Sequence, residues 1–263
     1  MRTAAAYGMP MRLDGRIAIV TGASSGIGRA IALRFADEGA HVIGADLVAD
    51  PREGGASTGE LLGERGRHIE ADVSRAHDVE RLVAAALERG RLDIFVANAA
   101  IAGAHSKALL ETTEEDWDAI MAVNLRGVFL CARAAIAAMV EQEPLGEARG
   151  RLILISSQHG MVGPPGHFAY AVSKGGIVNM ARQLAVDYGP RGVLVNAVAP
   201  GKIITGAPGN LDPDAIAYSH ARTPFARLGR PDDVAGAALF LASEDAGYVS
   251  GVNLLVDGGW MAY

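Results

Sequence analysis

Tyr170 and Lys174 stand four residues apart in a stretch whose apolar spacing predicts a helix, so both side chains project from one face, a turn apart. A free tyrosine hydroxyl has a pKa of about 10, too high for a useful base at neutral pH. A lysine cation about 6 Å away, at an effective dielectric of about 20, favours the phenolate by roughly 2.8 kcal/mol, or about two pKa units. Tyr170 is therefore expected to act as the acid in a ketone reduction and the base in an alcohol oxidation. The Tyr-x-x-x-Lys pattern also recurs by chance in helices. Its weight here comes from the company it keeps, beginning with Ser157, thirteen residues upstream at the end of an apolar run.

A second constellation lies near the N-terminus. The apolar run 17–20 is followed by Thr21-Gly22-Ala23-Ser24-Ser25-Gly26-Ile27-Gly28 and then by a helical pattern. A strand turning into a helix through three glycines offers backbone N–H groups and the positive end of a helix dipole to an anion. The missing side chains let a pyrophosphate come close. The spacing G-x-x-x-G-x-G is not the G-x-G-x-x-G of the standard dinucleotide fingerprint, and a glycine turn without a ligand competes with this reading. Asp46 ends the next apolar run, eighteen residues past Gly28. A carboxylate there accepts hydrogen bonds from an adenosine ribose diol and repels a 2′-phosphate, while Leu47, Ser24 and Ser25 supply no cation to compensate. NAD is favoured over NADP.

Holding these groups together requires a sheet. Apolar runs of strand length at 17–20, 41–45, 68–71, 92–97, 152–156, 193–198 and 253–256 alternate with amphipathic stretches at 26–38, 76–89, 114–140, 170–188 and 231–242. Several runs are continuously apolar, as expected of strands covered on both faces. The alternation predicts an α/β fold with a doubly wound parallel sheet, in a single domain over 11–263 after a flexible extension at 1–10. The segment 201–223 exceeds ordinary loop length and is expected to be a lid or a short helical excursion.

Composition narrows the function classes. Of 263 residues, 50% are hydrophobic, enough for a sizeable core, and the 33 glycines imply many tight turns. The balance of 24 basic and 30 acidic residues leaves a net charge of −6, which weighs against a binder of nucleic acid. No apolar run is expected to reach the roughly 18 residues of a membrane span, and 1–11 lacks the apolar core of a signal peptide. The single cysteine, Cys131, suits a reducing compartment, so a soluble, cytoplasmic protein is expected. The seven histidines are scattered without ligand spacing, and no metal is expected.

Taken jointly, these marks resemble the classical short-chain dehydrogenase/reductase family over nearly the whole chain. The matching residues are Thr21-Gly22-x-x-x-Gly26-x-Gly28, Asp72-Val73, Asn98-Ala99-Ala100, Asn124, Ser157, Tyr170-x-x-x-Lys174, and Pro200-Gly201 with Thr205. Ile101 departs from the glycine often found there and is expected to tighten its loop. The resemblance implies a Rossmann-like fold and hydride transfer between a nicotinamide and a carbinol or carbonyl carbon. It implies that Gly22, Ser24, Ser25, Gly26, Ile27 and Gly28 cradle the cofactor, that Asp46 takes its ribose, and that Asp72 and Val73 hold its adenine. Asn98, Ala99 and Ala100 would adjoin a ribose. Pro200, Gly201, Ile203 and Thr205 would position the carboxamide, and Tyr170 and Lys174 would contact the cofactor too. Ser157 would stabilise charge on the reacting oxygen, and Asn124 would hold a water joining Lys174 to solvent. Plainer roles compete, such as Asp72 capping a turn with Ser74.

Substrate contacts are expected from 102–107, 158–167 and 202–222, at the carboxyl ends of the strands. Gln158, His159, His167 and Lys202 stand out with Ser157 and Tyr170, alongside His105, Asn210, Tyr218 and His220. This set is richer in hydrogen-bonding groups than in bulky apolar ones, which favours a small polar alcohol, a polyol or a sugar over a steroid or long acyl chain. Two alternatives are an NADP-dependent ketoreductase of an acyl or polyketide chain, and a non-catalytic dinucleotide sensor or scaffold, which would have no need of Ser157, Tyr170 and Lys174 together. The family resemblance implies a homotetramer or homodimer built on 114–140 and 170–188. The aromatic tail 254–263 is expected to be buried, against another subunit or within the chain.

Overall fold

A computed structural model of the chain describes residues 11–102, 107–205 and 212–262, so the extension expected at 1–10 lies outside the described residues. Strands β1 (Ile17–Thr21), β2 (His41–Asp46), β3 (Gly66–Glu70), β4 (Ile94–Ala97), β5 (Gly150–Ile155), β6 (Val193–Pro200) and β7 (Asn253–Val256) form one sheet in the order β3-β2-β1-β4-β5-β6-β7. Every pair is parallel. The doubly wound α/β sheet read from the apolar runs is present. Helices α1 (Gly26–Asp37), α2 (Thr58–Leu62) and α8 (Pro231–Ala242) contribute to one apolar layer, and α3 (Ala76–Leu87), α5 (Val128–Met139) and α6 (Phe168–Tyr188) to the other. Neighbouring residues of a strand enter opposite layers: Ile17 and Ile19 go to one, Ala18 and Val20 to the other. With both layers apolar, strands β1, β4 and β5 are buried along their whole length.

From β1 the chain steps outward to β3, returns to β4 beside β1, and then proceeds to β7 on the far side. The carboxyl ends of β1 and β4 part at this reversal and leave a crevice. Asn98, just past β4, ties its walls. Its Nδ2 donates to the carbonyls of Thr21 at 2.8 Å and Gly22 at 3.3 Å, while Thr21 Oγ1 accepts the amides of Asn98 at 3.0 Å and Ala99 at 3.1 Å.

The single helix expected over 114–140 is interrupted. Helix α4 (Glu114–Met121) passes through a π-helical turn, Ala122–Gly127, before α5 begins. Such turns hold an extra residue and recur at functional sites. Here the wider turn carries Asn124, whose side chain is fully buried. Taken whole, Glu114–Met139 is long and apolar enough to cross a membrane, contrary to the expectation that no such stretch exists. Half of its most apolar window is nevertheless buried within the fold, where α5 packs on α3, β4 and β5. Cys131 lies in that helix, and burial pushes its thiol up to about 12. The segment past residue 212 is the helical excursion, α7 (Pro213–Arg222), started by the Asp212 side chain accepting the Asp214 amide at 3.1 Å.

Two glycines with opposite surroundings test this packing. A Cβ on Gly28 would lie 2.1 Å from the Gly22 carbonyl oxygen and 2.5 Å from Asn98 Nδ2, whereas one on Gly236, within α8, would meet nothing within 4 Å. Gly28→Ala is expected to destabilise the fold by about 2 kcal/mol or more. Gly236→Ala is expected to stabilise it by about 0.5–1 kcal/mol, both measured by chemical denaturation.

Candidate active site

The chain leaves β5 through Ser156 and Ser157, whose hydroxyls face different ways. Ser156 Oγ donates to the Val198 carbonyl at 3.1 Å and bonds Asn253 Oδ1 at 2.7 Å, bracing β6 and β7. Ser157 Oγ accepts the His159 amide at 3.2 Å, capping the short turn Gln158–Gly160, and its hydroxyl acts on the Tyr170 phenol to lower its pKa. Helix α6 presents Tyr170 and Lys174 on one face, with Lys174 Nζ 5.7 Å from the centre of the tyrosine ring. Lys174 is 2% exposed, and its ammonium donates to the Ile155 carbonyl at 2.8 Å.

The electrostatics depart from the expectation of a phenol lowered by its neighbour. Burial pushes the Tyr170 hydroxyl above the usual tyrosine value, and the Ser157 hydrogen bond opposes it with less force. Burial also brings Lys174 down to about 8. Desolvation penalises both charged forms, so the attraction between ammonium and phenolate is exerted on groups already displaced toward neutrality. Lys174 remains mostly charged at pH 7.

Asn124 sits behind this pair. Its Oδ1 accepts the Ile101 amide at 2.8 Å, its Nδ2 donates to the Ile101 carbonyl at 2.8 Å, and it reaches Ser173 Oγ, beside Lys174, at 3.4 Å. The carboxamide thus pins Ile101, and with it the end of the Asn98-Ala99-Ala100 segment.

A cleft of about 280 Å³ opens at the crevice, lined by Gly22, Ser25, Gly26, Ile27, Asp46, Asp72, Val73, Asn98, Ala99, Ala100 and Thr205. Gly28 supports it from below. Gly22, at φ 66°, would drive a Cβ to 2.7 Å from Asn98 Nδ2. The Gly26 amide, at the start of α1, donates to Glu53 Oε1 at 3.0 Å, so this helix terminus already holds a carboxylate. Bare glycines plus an amide aimed at an anion fit a dinucleotide's diphosphate.

The other predicted contacts divide. Asp46 accepts the amides of Leu47 at 2.8 Å and Ser24 at 3.1 Å, while Ser24 is buried with its hydroxyl turned to the Val48 carbonyl. Ser24 therefore braces Asp46 and does not line the cleft. Asp72 is held below the usual carboxylate range chiefly by the Ser74 hydroxyl at 2.7 Å. Pro200 ends β6, Gly201 follows it, and Ile203 pairs with Gly229, near the cleft but outside its lining.

On the substrate side, His159 lies 5.4 Å from His167 and 6.4 Å from Tyr170, between ring centres. Burial, then His167 and Lys202, bring His159 down to about 4, and burial and Lys202 lower His167. Gln158 is buried beside them. Trp260, 5% exposed, completes the wall 6.4 Å from His159. Of the two expectations for the tail, this supports burial within the chain. Asp257 collects the amides of Gly259 and Met261, both at 2.9 Å, while Gly258 and Gly259 turn at positive φ. The sequence signal was the Asp257-Gly258-Gly259 turn, which brings Trp260 back on the chain. Arg52 and Glu53, likewise at the cleft, had no such signal. Tyr218 and His220 lie on the exposed side of α7, and His105 and Asn210 lie outside the described residues. Among the described residues, no group of three or more histidines, cysteines or acids could hold a metal.

The chain is similar to known proteins over nearly its whole length. A family model described as enoyl-(acyl carrier protein) reductase matches residues 22–261. The 3-oxoacyl-(acyl-carrier-protein) reductase of Thermotoga maritima is 36% identical over 250 residues, covering 95% of this chain and 99% of that one. Glucose 1-dehydrogenase 2 of Bacillus subtilis is 38% identical over 258 residues, covering 95% and 96%. A solved short-chain type dehydrogenase/reductase from Mycobacterium marinum superposes with a TM-score of 0.85 at 32% identity, covering 97% of this chain and 98% of that one.

Two substitutions examine the pair. Tyr170→Phe is expected to abolish turnover while leaving dinucleotide affinity, read by fluorescence titration, within about threefold. For Lys174 the native value lies below the unfolded one, so the cost of its charge is fully present below pH 8 and relieved as pH rises toward 10.5. Lys174→Met is therefore expected to stabilise the fold at pH 7 by about 1–2 kcal/mol in denaturant melts, and to lose activity.

Proposed function

The chain belongs to the short-chain dehydrogenase/reductase family, whose members are NAD(P)-dependent oxidoreductases acting on CH–OH groups, and on that premise we propose that it transfers hydride between NAD and a small polar secondary alcohol, such as a polyol or sugar, and the corresponding ketone. The observation carrying this reading is Tyr170 beside the buried Lys174 ammonium and acted on by Ser157, on a helix that Asn124 links through Ser173 to Ile101 of the glycine-lined cleft. Ser157 holds the substrate oxygen, and Tyr170 takes its proton in oxidation or returns it in reduction. Lys174 lowers the cost of the phenolate while the proton is away. When bound, the nicotinamide supplies the hydride acceptor. Asn124 fixes the Ile101 backbone on the floor, and a water beside it is the proposed path for Lys174's proton.

Asp46 supports NAD. Its carboxylate lines the cleft at the end of β2, where a 2′-phosphate would meet a like charge, and Leu47 beside it is exposed and neutral. One observation favours a second reading, an NADP-dependent ketoreductase of acyl chains: Arg52 also lines this cleft, its amide donating to Ser25 Oγ at 2.8 Å. The 3-oxoacyl-(acyl-carrier-protein) reductase among its relatives points the same way. Assembly as a homotetramer or homodimer is supported by exposed Phe129 on α5 and by Val172 and Val186 on α6. A cytoplasmic setting is in keeping with the single, buried thiol.

Steady-state kinetics with both cofactors decide between the readings. We expect kcat/KM for NAD to exceed that for NADP by about 100-fold or more, and Asp46→Ser to narrow the ratio; parity or a preference for NADPH would establish the second reading. Light scattering is expected to give at least twice the 27.3 kDa chain mass, and a monomer would reject the assembly.

A further inference from the structure

The amide that opens helix α1 is answered from a distance. Ser25, at the N-cap, makes no side-chain bond to the helix, and the first turn holds no acid. Its Oγ instead accepts the Arg52 amide at 2.8 Å. The Gly26 amide donates to Glu53 Oε1 at 3.0 Å, a partner 27 residues away in the loop after β2. We propose that Glu53 is an autoinhibitory latch: its carboxylate holds the place at this helix terminus that the cofactor's diphosphate would take, and has to be displaced as a dinucleotide binds. The latch rests on the reading of the glycine-lined cleft as the dinucleotide site, and not on the choice of alcohol.

Glu53 lines that cleft together with Gly22, Ser25, Gly26 and Asp46. A carboxylate and a diphosphate sharing one amide would face each other as like charges, so one of them has to yield the α1 terminus. The carboxylate is steadied by Arg29, whose Nε lies 3.9 Å from Glu53 Oε1. The loop carrying it is tied down at both ends. Ser24 Oγ donates to the Val48 carbonyl, and Arg29 donates to the Ala56 carbonyl at 2.8 Å and to Thr58 Oγ1 at 3.3 Å. Between these ties, residues 52–56 are exposed. Gly54 and Gly55 turn at φ 77° and 85°, where an added Cβ would meet nothing within 4 Å. The middle of the loop can therefore swing while its ends stay fixed, as a strap that opens requires. A latch closed about nine-tenths of the time raises the apparent Kd of the dinucleotide about tenfold.

The experiment titrates NADH and NADPH, by nicotinamide fluorescence, against the native chain, Glu53→Ala, Glu53→Gln and Asp50→Asn. It adds hydrogen exchange over residues 49–57, with and without the tighter dinucleotide. We expect Glu53→Ala to lower Kd about tenfold, and Glu53→Gln, which keeps an acceptor without the charge, to lower it as well. Asp50 is exposed in the same loop but stands outside the cleft lining, so Asp50→Asn is expected to leave Kd within about twofold. The dinucleotide is expected to speed exchange over 49–57 in the native chain, since the Arg52 amide gives up its place on Ser25 when the strap lifts. A Kd that Glu53→Ala leaves unchanged or raises would overturn the latch, and so would equal tightening by Asp50→Asn, a plain effect of loop charge. Slower exchange over 49–57 would also overturn it, by making the segment a lid that closes on bound cofactor. Each of these leaves the cleft as the dinucleotide site. Saturable binding of neither dinucleotide to any of the four chains would instead overturn the reading of the cleft, and the latch with it.

Discussion

A lysine ammonium buried next to a phenol is the arrangement on which the rest of the molecule depends. Bringing Lys174 from 10.5 to about 8 corresponds to a cost on the order of 3 kcal/mol, a large share of the stability of an ordinary domain. The fold meets that cost where its scaffold is firmest. The Ile155 carbonyl that receives the ammonium ends β5, whose residues are buried from Gly150 to Ile155 between two apolar layers. A charge held by a rigid strand end cannot move toward water, so its field stays on the tyrosine. The same burial raises the Tyr170 phenol above the usual tyrosine value.

Around this pair, polar side chains do the work of joining elements that the sheet alone leaves apart. Asn98 stitches β4 to the glycine loop, and Asn124 clamps Ile101 from a wider helical turn. Ser156 fastens β5 to β6 and β7 so that Ser157 is left to the site. Each of these groups is buried or half-buried and hydrogen-bonded, as burial of polar atoms demands. Asn98 and Asn124 also fix the backbone at cleft-lining positions. Rigidity at the crevice therefore comes from a few amides and hydroxyls rather than from more apolar packing.

What the sequence disclosed and what it withheld follow a physical division. The glycine loop, Asp46 and the Tyr170–Lys174 spacing are local patterns: strand into turn, strand end, one helical turn. Their geometry follows from backbone rules, and they were legible. The inner strands β1, β4 and β5 were legible because burial on both faces left largely apolar runs. The interruption at Ala122–Gly127 was not, since Asn124 and its neighbours keep a helical apolar spacing and the partner that widens the turn, Ile101, lies more than twenty residues away in sequence. The reach of Glu53 to Gly26 and the return of Trp260 to His159 are equally tertiary. The direction of the Tyr170 shift was misjudged because a Coulomb estimate between two residues omits the burial imposed by all the others.

The widened turn at Ala122–Gly127 has a consequence for how length changes are tolerated in this chain. A π-helical turn stores one more residue than a regular helix needs, so excising a single residue there would let the two flanking helices fuse into one continuous rod. Everything on one side would then swivel by about 100° relative to the other. Asn124 would swing off Ile101, and the apolar stripe of α5 would slide off β4 and β5. A one-residue shortening, harmless in most surface segments, would here disengage the floor of the crevice and the sheet beneath it together.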